Sequence, residues 1–200
     1  MGNLIAVVGN TGIGKTTFVF HLCKAAKFTA CLEQNEERPF QERFSLDKQQ
    51  YALVNQIDFL IFRAEQEISI RKGGVTGVHD GGLDQDFFVF TRLFYRKGYL
   101  TGEEYALCDR TYTVIRERLP PPDLIIWLKA PLEVIAERYN RRHRSLSIAH
   151  IEDMEIMEGL LEDWLGGMGV SPLFVIDSEF EDRGYIRVIP KVIDLIQSLD

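Results

Sequence analysis

The sequence has few cysteines, no excess of positive charge and no long apolar run, and each shortage excludes a class of protein. Its three cysteines, Cys23, Cys31 and Cys108, are odd in number and lack metal-ligand spacing. They therefore favour reduced core thiols over disulfides. The formal net charge of −7 argues against a general nucleic-acid binder, whose surface would be basic. No apolar run is long enough to span a bilayer. We therefore expect a cytoplasmic protein that binds neither nucleic acid nor membrane.

The length and composition are those of an ordinary globular protein. The chain has 200 residues, 46% of them hydrophobic and 26% charged. Such a chain suits one domain with a sizeable core. It shows no internal repeat, and a strand pattern begins at Leu4 with no leader and cleavage site before it. We expect a single domain over residues 1–200.

Short apolar runs alternate with helical patterns along the chain. The runs predict strands at Leu4–Val8, Phe28–Leu32, Val75–His79, Leu124–Leu128 and Leu173–Ile176. The helical patterns cover Thr16–Lys27, Gln50–Arg71, Gly102–Leu119, Pro131–Arg141, Ile148–Leu165 and Tyr185–Leu199. Continuous apolar runs are typical of buried parallel strands. The alternation predicts a doubly wound α/β fold, with a five-stranded parallel sheet, helices on both faces and ligands at the carboxyl ends of the strands.

Residues Gly9–Thr16 match the phosphate-loop pattern G-x-x-x-x-G-K-[ST] and lie between a strand and a helix, as that motif requires. Glycines let the backbone approach phosphates, and successive N–H groups at a helix N-terminus face the anion. Lys15 is expected to reach the outer phosphates and Thr16 to ligate Mg²⁺. The expected ATP contacts are Gly9, Asn10, Thr11, Gly12, Ile13, Gly14, Lys15, Thr16 and Thr17. The pattern predicts a P-loop NTPase-type protein.

Two carboxylates follow neighbouring predicted strands. Phosphoryl transfer needs one carboxylate near Mg²⁺ and often a second that takes the proton of the acceptor hydroxyl. Asp80, directly after an apolar strand, fits the metal role, and Glu33 fits the role of general base. The alternative is that both are ordinary solvated carboxylates of loops.

A dense basic cluster contains Arg138, Arg141, Arg142 and Arg144. It can simply complement the C-terminal dipole of a helix. In an acidic chain we favour an Arg-rich lid, at about residues 141–147, whose arginines neutralise the transferring phosphoryl group. Arg142 and Arg144 are the predicted catalytic pair, and Arg138 is predicted to contact ATP.

The helix that begins near Gln50 carries Gln56 and Arg63 seven residues apart, with Phe59 between them. An amide, a guanidinium and an aromatic ring on one wall can hold a nucleobase. Periodicity alone favours a solvated polar face instead. The aromatic residues from Phe87 to Tyr95 are expected to serve mainly in the core and in dimer packing.

Together these motifs resemble the deoxynucleoside kinase family, especially its bacterial purine-deoxynucleoside members, from Leu4 to about Trp164. Glu33 falls where that family has its general base, and Pro39-Phe40 resembles the Pro-apolar pair that follows the base. The resemblance implies that Gln56, Arg63 and Asp86 read the nucleobase. It also implies a homodimer through the Gln50 and Gly102 helices.

The sequence departs from the family pattern in three places, the first of which spans two residues. Gly81 and Gly82 follow Asp80 where the family has arginine and serine, so a catalytic arginine is missing. Ser45 replaces a tyrosine that binds the 3′-hydroxyl of the sugar, and Ser147 replaces a glutamate of the lid that binds the same hydroxyl. The expected consequence is altered acceptor specificity, with another arginine in the missing place or a different acceptor.

We predict a kinase that uses ATP and Mg²⁺ to phosphorylate the 5′-hydroxyl of a (deoxy)nucleoside, with a purine or cytosine base favoured. A first alternative is a nucleoside monophosphate kinase, or a kinase of another hydroxyl compound, with Arg38 and Arg43 as candidates to bind an acceptor phosphate. A second alternative is an ATP-binding regulatory module without kinase activity, which Gly81 favours.

Overall fold

The computed structural model describes residues 2–33, 38–141, 151–167, 171–179 and 184–199. Five strands in these residues form one parallel sheet in the order β2-β3-β1-β4-β5. They are β1 (Leu4–Val8), β2 (Thr29–Cys31), β3 (Gly77–Asp80), β4 (Leu124–Lys129) and β5 (Leu173–Asp177). The predicted α/β fold with a five-stranded parallel sheet is confirmed.

The helices lie on both faces of this sheet. They are α1 (Lys15–Ala26), α2 (Gln41–Leu46), α3 (Lys48–Gly73), α4 (Leu83–Gln85), α5 (Arg92–Arg96), α6 (Gly102–Arg116), α7 (Leu132–Asn140), α8 (Met154–Gly167) and α9 (Ile189–Gln197). A π-helical segment, Asp86–Thr91, joins α4 to α5, and a short 3-10 helix, Ile151–Asp153, precedes α8. The sequence pattern does not predict α2 or the helical stretch from Leu83. It also starts the last helix four residues too early, at Tyr185 instead of Ile189.

Strand β1 lies at the centre of the sheet and is buried along its whole length. Its side chains alternate between the two faces, as the two-residue period of a strand requires. Ala6 and Val8 join a cluster with residues of α3, α6 and α8, whereas Ile5 and Val7 join a second cluster with residues of α1 and α9. The sheet therefore separates two apolar cores.

The prediction that every strand is buried is wrong for the two edge strands. In β5, Leu173 is 41% and Val175 is 49% exposed, and in β2 both Thr29 and Ala30 are exposed. An apolar run indicates a strand but does not say whether the strand has a neighbour on each side.

The long helix α3 has defined ends. Asp47 caps its start by accepting a hydrogen bond from Gln50 N at 3.0 Å, and Gly74, at φ 69°, closes its end in the left-handed region. These caps define the two ends of the helix that carries Gln56, Phe59 and Arg63. No helix in the ranges that the structure describes is both long and apolar enough to cross a membrane.

Candidate active site

The phosphate loop connects β1 to α1, and the loop's own groups hold its shape. Lys15 Nζ donates to the carbonyl oxygens of Gly9 at 3.0 Å and Asn10 at 3.1 Å. Gly9 has φ 148°, and a Cβ there would lie 2.7 Å from the carbonyl oxygen of Leu128. Only glycine fits at that position, so the first glycine of the motif is required by the close approach of β4.

Thr16 and Asp80 meet at the carboxyl ends of β1 and β3. Thr16 Oγ1 donates to Asp80 Oδ2 at 2.6 Å, and Asp80 Oδ1 is buried without a hydrogen-bond partner. Burial, followed by the nearby carboxylate of Glu33, raises the pKa of Asp80. A carboxylate with a free, buried oxygen next to a hydroxyl is a donor set that suits a hard cation such as Mg²⁺.

A pocket lies beside this pair, against the inner face of α3. Its wall consists of Glu33, Asn55, Gln56, Phe59, Arg63, Asp86, Phe90 and Phe94, and the pocket is partly open to solvent. All four predicted substrate residues and the predicted general base are in this set. The structure thus brings Glu33, from the end of β2, to the same wall as the predicted base-reading residues of α3.

The solvated-face interpretation of α3 is wrong, because Gln56 is 2% exposed and Arg63 is fully buried. Arg63 Nε donates to Asp86 Oδ2 at 2.8 Å, and Arg63 Nη2 lies 3.9 Å from Glu33 Oε1. Burial alone would lower the pKa of Arg63, but the carboxylates of Asp86 and Glu33 outweigh it and raise that pKa. A buried cation therefore links the predicted general base to Asp86.

The π-helical segment places Asp86 in this wall. Gln56 Nε2 donates to the carbonyl oxygen of Asp86 at 2.9 Å, and Thr91 Oγ1 donates to the same oxygen at 3.0 Å. A π-turn widens the helix by one residue and is often found at functional sites. Here side chains of α3 and of the segment itself bind the carbonyl at its start, while the Asp86 side chain faces Arg63.

Gly81 stands where the family pattern has an arginine. The side chain of a different arginine, Arg63, lies next to this position. Gly81 has φ 84°, and a Cβ there would lie 3.5 Å from Arg63 Nη2 and 3.9 Å from Glu33 Oε1. Residues other than glycine rarely adopt such a φ value. The backbone thus disfavours a side chain at this position, and the guanidinium of Arg63 lies next to it.

Two groups of residues near the site were missed from the sequence. Gln85 Oε1 accepts a hydrogen bond from Gly9 N at 3.0 Å, which ties the helical stretch after β3 to the phosphate loop. Arg116 of α6 donates to Glu67 at 3.0 and 3.1 Å and to Asp84 at 2.8 Å. No local pattern marks these residues, since each partner comes from a distant part of the chain. The position of Gln85, five residues after Asp80, is the one feature of the sequence that could have pointed to this residue.

The helices on either side of the predicted lid both contact the phosphate loop. Arg138 of α7 donates to the carbonyl oxygens of Ile13 at 3.3 Å and Ser178 at 2.6 Å. Asn10 Nδ2 donates to Met154 O at 2.9 Å and Glu158 Oε2 at 3.0 Å, at the start of α8. Arg138 and Asn10 therefore bind protein groups here, and their contacts with ATP stay predictions.

Other predicted positions have different outcomes. Arg142, Arg144 and Ser147 lie outside the described residues. Thr17 is exposed on α1. Ser45 is exposed on α2, and its Oγ donates to Glu42 O at 2.6 Å. Ser45 is therefore not part of the pocket wall.

A phosphate loop that faces a carboxylate and an aromatic pocket defines the class of small-molecule P-loop kinases. The chain matches the family model "Deoxynucleoside kinase" over residues 5–197 and belongs to that family. It is a kinase that phosphorylates a nucleoside, as the resemblance predicted. The family match therefore favours a kinase over a regulatory module without kinase activity.

Several characterised proteins are similar to this chain. A deoxyadenosine/deoxycytidine kinase of Bacillus subtilis (strain 168) is 28% identical, over 98% of this chain and 93% of that protein. A deoxyguanosine kinase of the same strain is 23% identical, over 70% of this chain and 67% of that protein. The structure of deoxyadenosine kinase from M. mycoides with bound dATP superposes with a TM-score of 0.82 at 23% identity, over 96% of this chain and 99% of that chain. The last similarity supports the fold.

Proposed function

We propose that this protein transfers the terminal phosphoryl group of ATP to the 5′-hydroxyl of a deoxynucleoside with a purine or cytosine base. One observation carries the proposal: Glu33 lies within 3.9 Å of Arg63, in the pocket wall that also contains Gln56 and Asp86. An acceptor whose base is held by that wall would have its hydroxyl near Glu33 and the phosphate loop. The similar Bacillus subtilis proteins are kinases of deoxyadenosine, deoxycytidine and deoxyguanosine, which supports the choice of base.

The phosphate loop would hold the donor. Lys15 would exchange its bonds to two loop carbonyls for bonds to the outer phosphates, and the loop N–H groups would face the remaining oxygens. Thr16 and Asp80 would hold Mg²⁺, which neutralises charge on the phosphates when it is bound. The free, buried Oδ1 of Asp80 supports this assignment.

Glu33 would take the proton of the acceptor hydroxyl as the oxygen attacks phosphorus. A positioned general base contributes roughly 10²–10⁴-fold to the rate. Arg63 Nη2, next to Glu33 and Gly81, would hold the carboxylate in place and would supply the positive charge that the missing arginine supplies in the family pattern. Arg142 and Arg144 stay the predicted lid arginines.

A monophosphate acceptor is the second candidate, and the contacts of Arg38 weigh against it. Its guanidinium lies 4.3 Å from the centre of the Phe62 ring, and its Nε lies 3.4 Å from Asp58 Oδ2. Because this cation already has an aromatic ring and a carboxylate as partners, it is less available to an acceptor phosphate.

The test is a panel of nucleosides, deoxynucleosides and monophosphates with ATP and Mg²⁺, read by product formation. We expect a deoxynucleoside to be phosphorylated and Glu33→Gln to lower kcat by roughly 10²–10⁴-fold. ATP binding, measured by calorimetry, should stay unchanged. Glu42→Gln, on the exposed face of α2, is the matched control and should retain full activity. Turnover of monophosphates alone would reject the proposal.

We also propose a single kinase domain over residues 1–200 that forms a homodimer through α3 and α6. Val54, Ile61 and Ile68 are exposed at intervals of seven residues on α3, and Leu107 and Val114 are exposed at the same interval on α6. Two apolar stripes at this spacing suit helix packing between two copies. Ile61→Asp should give a monomer in analytical ultracentrifugation, whereas Lys72→Asp, at the exposed end of α3, should leave the dimer intact.

A cytoplasmic location is part of this proposal. Cys23, Cys31 and Cys108 are all free thiols, as is usual for proteins of a reducing compartment.

A further inference from the structure

Asn55 is a buried amide with no hydrogen-bond partner. Its side chain is 1% exposed, and neither Oδ1 nor Nδ2 has a partner. It lies on α3 four residues before Phe59, so both side chains face the same pocket. Buried polar groups almost always have partners, and one that lacks them destabilises the folded state. An unpaired amide in the wall of a pocket indicates that a ligand supplies the missing partners.

The side-chain amide of Gln56, the residue after Asn55, is less available to a ligand. Gln56 Nε2 already donates to the carbonyl oxygen of Asp86 at 2.9 Å, so one of the two N–H groups of this amide is engaged within the protein. Asp86 Oδ2 accepts from Arg63 Nε at 2.8 Å. Asn55, in contrast, has both its donor atom and its acceptor atom buried without a hydrogen-bond partner.

We propose that Asn55 is a specificity-determining residue that binds the edge of the nucleobase through both atoms of its amide. This inference rests on the proposed function and names a further determinant of the same site. An amide offers one acceptor next to one donor. Adenine and cytosine each present an exocyclic amine next to a ring nitrogen that accepts, so they match both atoms of the amide. Phe59 and Phe90 in the same wall suit the flat faces of such a base.

Asn55→Leu is the informative substitution, because leucine is close to asparagine in size and has no polar atoms. Replacing an unpaired buried amide by an apolar group should stabilise the ligand-free protein, so the Tm should rise or stay unchanged. The same change should weaken nucleoside binding. A residue with a purely structural role would lower the Tm instead. Gln49→Leu, which changes an exposed amide of the same helix, is the matched control.

The experiment compares deoxyadenosine with its analogue that lacks the 6-amino group, and deoxycytidine with its analogue that lacks the 4-amino group. We expect Asn55→Leu to lower kcat/KM for the better natural nucleoside by roughly tenfold or more. It should change kcat/KM for the matching analogue by less than about threefold. Gln49→Leu should alter neither. An equal loss on nucleoside and analogue, or no loss at all, would overturn the role of Asn55.

The nucleoside-induced rise in Tm is measured in parallel, without ATP. If no nucleoside is phosphorylated by the unsubstituted protein, the proposed function fails, but the Tm still decides the role of Asn55. A rise that is larger for the nucleoside than for its analogue, and that Asn55→Leu removes, supports the inference. The absence of such a difference contradicts it.

Discussion

The phosphate loop and the pocket against α3 differ in how many of their polar groups have partners within the protein. In the loop, Lys15 Nζ and Gly9 N have partners within the protein. In the pocket, the amide of Asn55 and Arg63 Nη2 are buried without hydrogen-bond partners. A loop that holds its own shape suits a ligand feature common to all nucleotides. A wall with unpaired groups suits a ligand that must be chosen among similar compounds, since an incorrect ligand leaves those groups unpaired.

The largest effect on the free energy of unfolding is expected when Arg63, the buried cation of the pocket, is replaced. Arg63→Met leaves the Asp86 carboxylate buried without its partner and should lower the free energy of unfolding by about 3–5 kcal/mol. Urea denaturation measures this change. Arg96→Met breaks an ion pair whose side chains are 50% and 68% exposed, and the expected change is about 0–1 kcal/mol. Similar losses for both variants would contradict the importance of burial.

In the phosphate loop, Lys15→Met should slow the reaction of every nucleoside by the same factor. Removing one donor to the developing charge lowers kcat by roughly 10²–10³-fold, and the ratio of kcat/KM between two nucleosides should not change. Steady-state kinetics with two nucleosides measures both quantities. Lys24→Met, at an exposed position of α1, is the control. A change in nucleoside preference would mean that the two regions are not independent.

Glu67, one turn of α3 beyond Arg63, should make the free energy of unfolding depend on pH. Burial outweighs the nearby Arg116 and raises the pKa of Glu67 from 4.5 to about 7. A raised pKa favours the protonated form in the folded state. The resulting stabilisation is therefore complete below about pH 4.5 and is lost as the pH rises through about 7.

The measurement is urea denaturation of the unsubstituted protein and of Glu67→Gln at pH 5 and pH 8. The difference in unfolding free energy between the two should shift by on the order of 2–3 kcal/mol, with the unsubstituted protein relatively weaker at pH 8. Glu65→Gln, exposed on the same helix, should show no such shift. If the unsubstituted protein becomes relatively stronger at pH 8, the bond to Arg116 outweighs burial.

The smallest effect is expected at Ser45, which lies outside both regions. Its hydroxyl donates to Glu42 O on the surface of α2, and exposed substitutions of this kind usually change stability by less than about 0.5 kcal/mol. Ser45→Ala should keep kcat/KM within roughly twofold for every nucleoside. A tenfold loss would show that α2 moves to bring Ser45 into the site.

The sequence was sufficient to predict the features that depend on neighbouring residues. The phosphate loop, the strand before it and Asp80 at the end of β3 are local patterns, and the structure has them where they were expected. Gln56 and Arg63 needed the family resemblance as well, because a polar pair on a helix is solvated in most proteins.

Other features depend on contacts between distant parts of the chain. The helical stretch after Leu83 was missed because the π-turn from Asp86 to Thr91 breaks the 3.6-residue period of its apolar residues. Asn55 could not be recognised from the sequence, because its burial depends on how α3 packs against the π-helical segment. The same holds for Arg116, whose partners Glu67 and Asp84 come from two other helices.

The conformation of Gly81 also limits how this protein can evolve. With φ at 84°, replacing glycine by arginine in one step would place a β-carbon on a strained backbone and a second guanidinium beside Arg63. Placing an arginine at position 81 would first require a rearranged turn after β3, or a change at position 63. The order of substitutions therefore matters, and a single mutation at position 81 leads through a less stable protein.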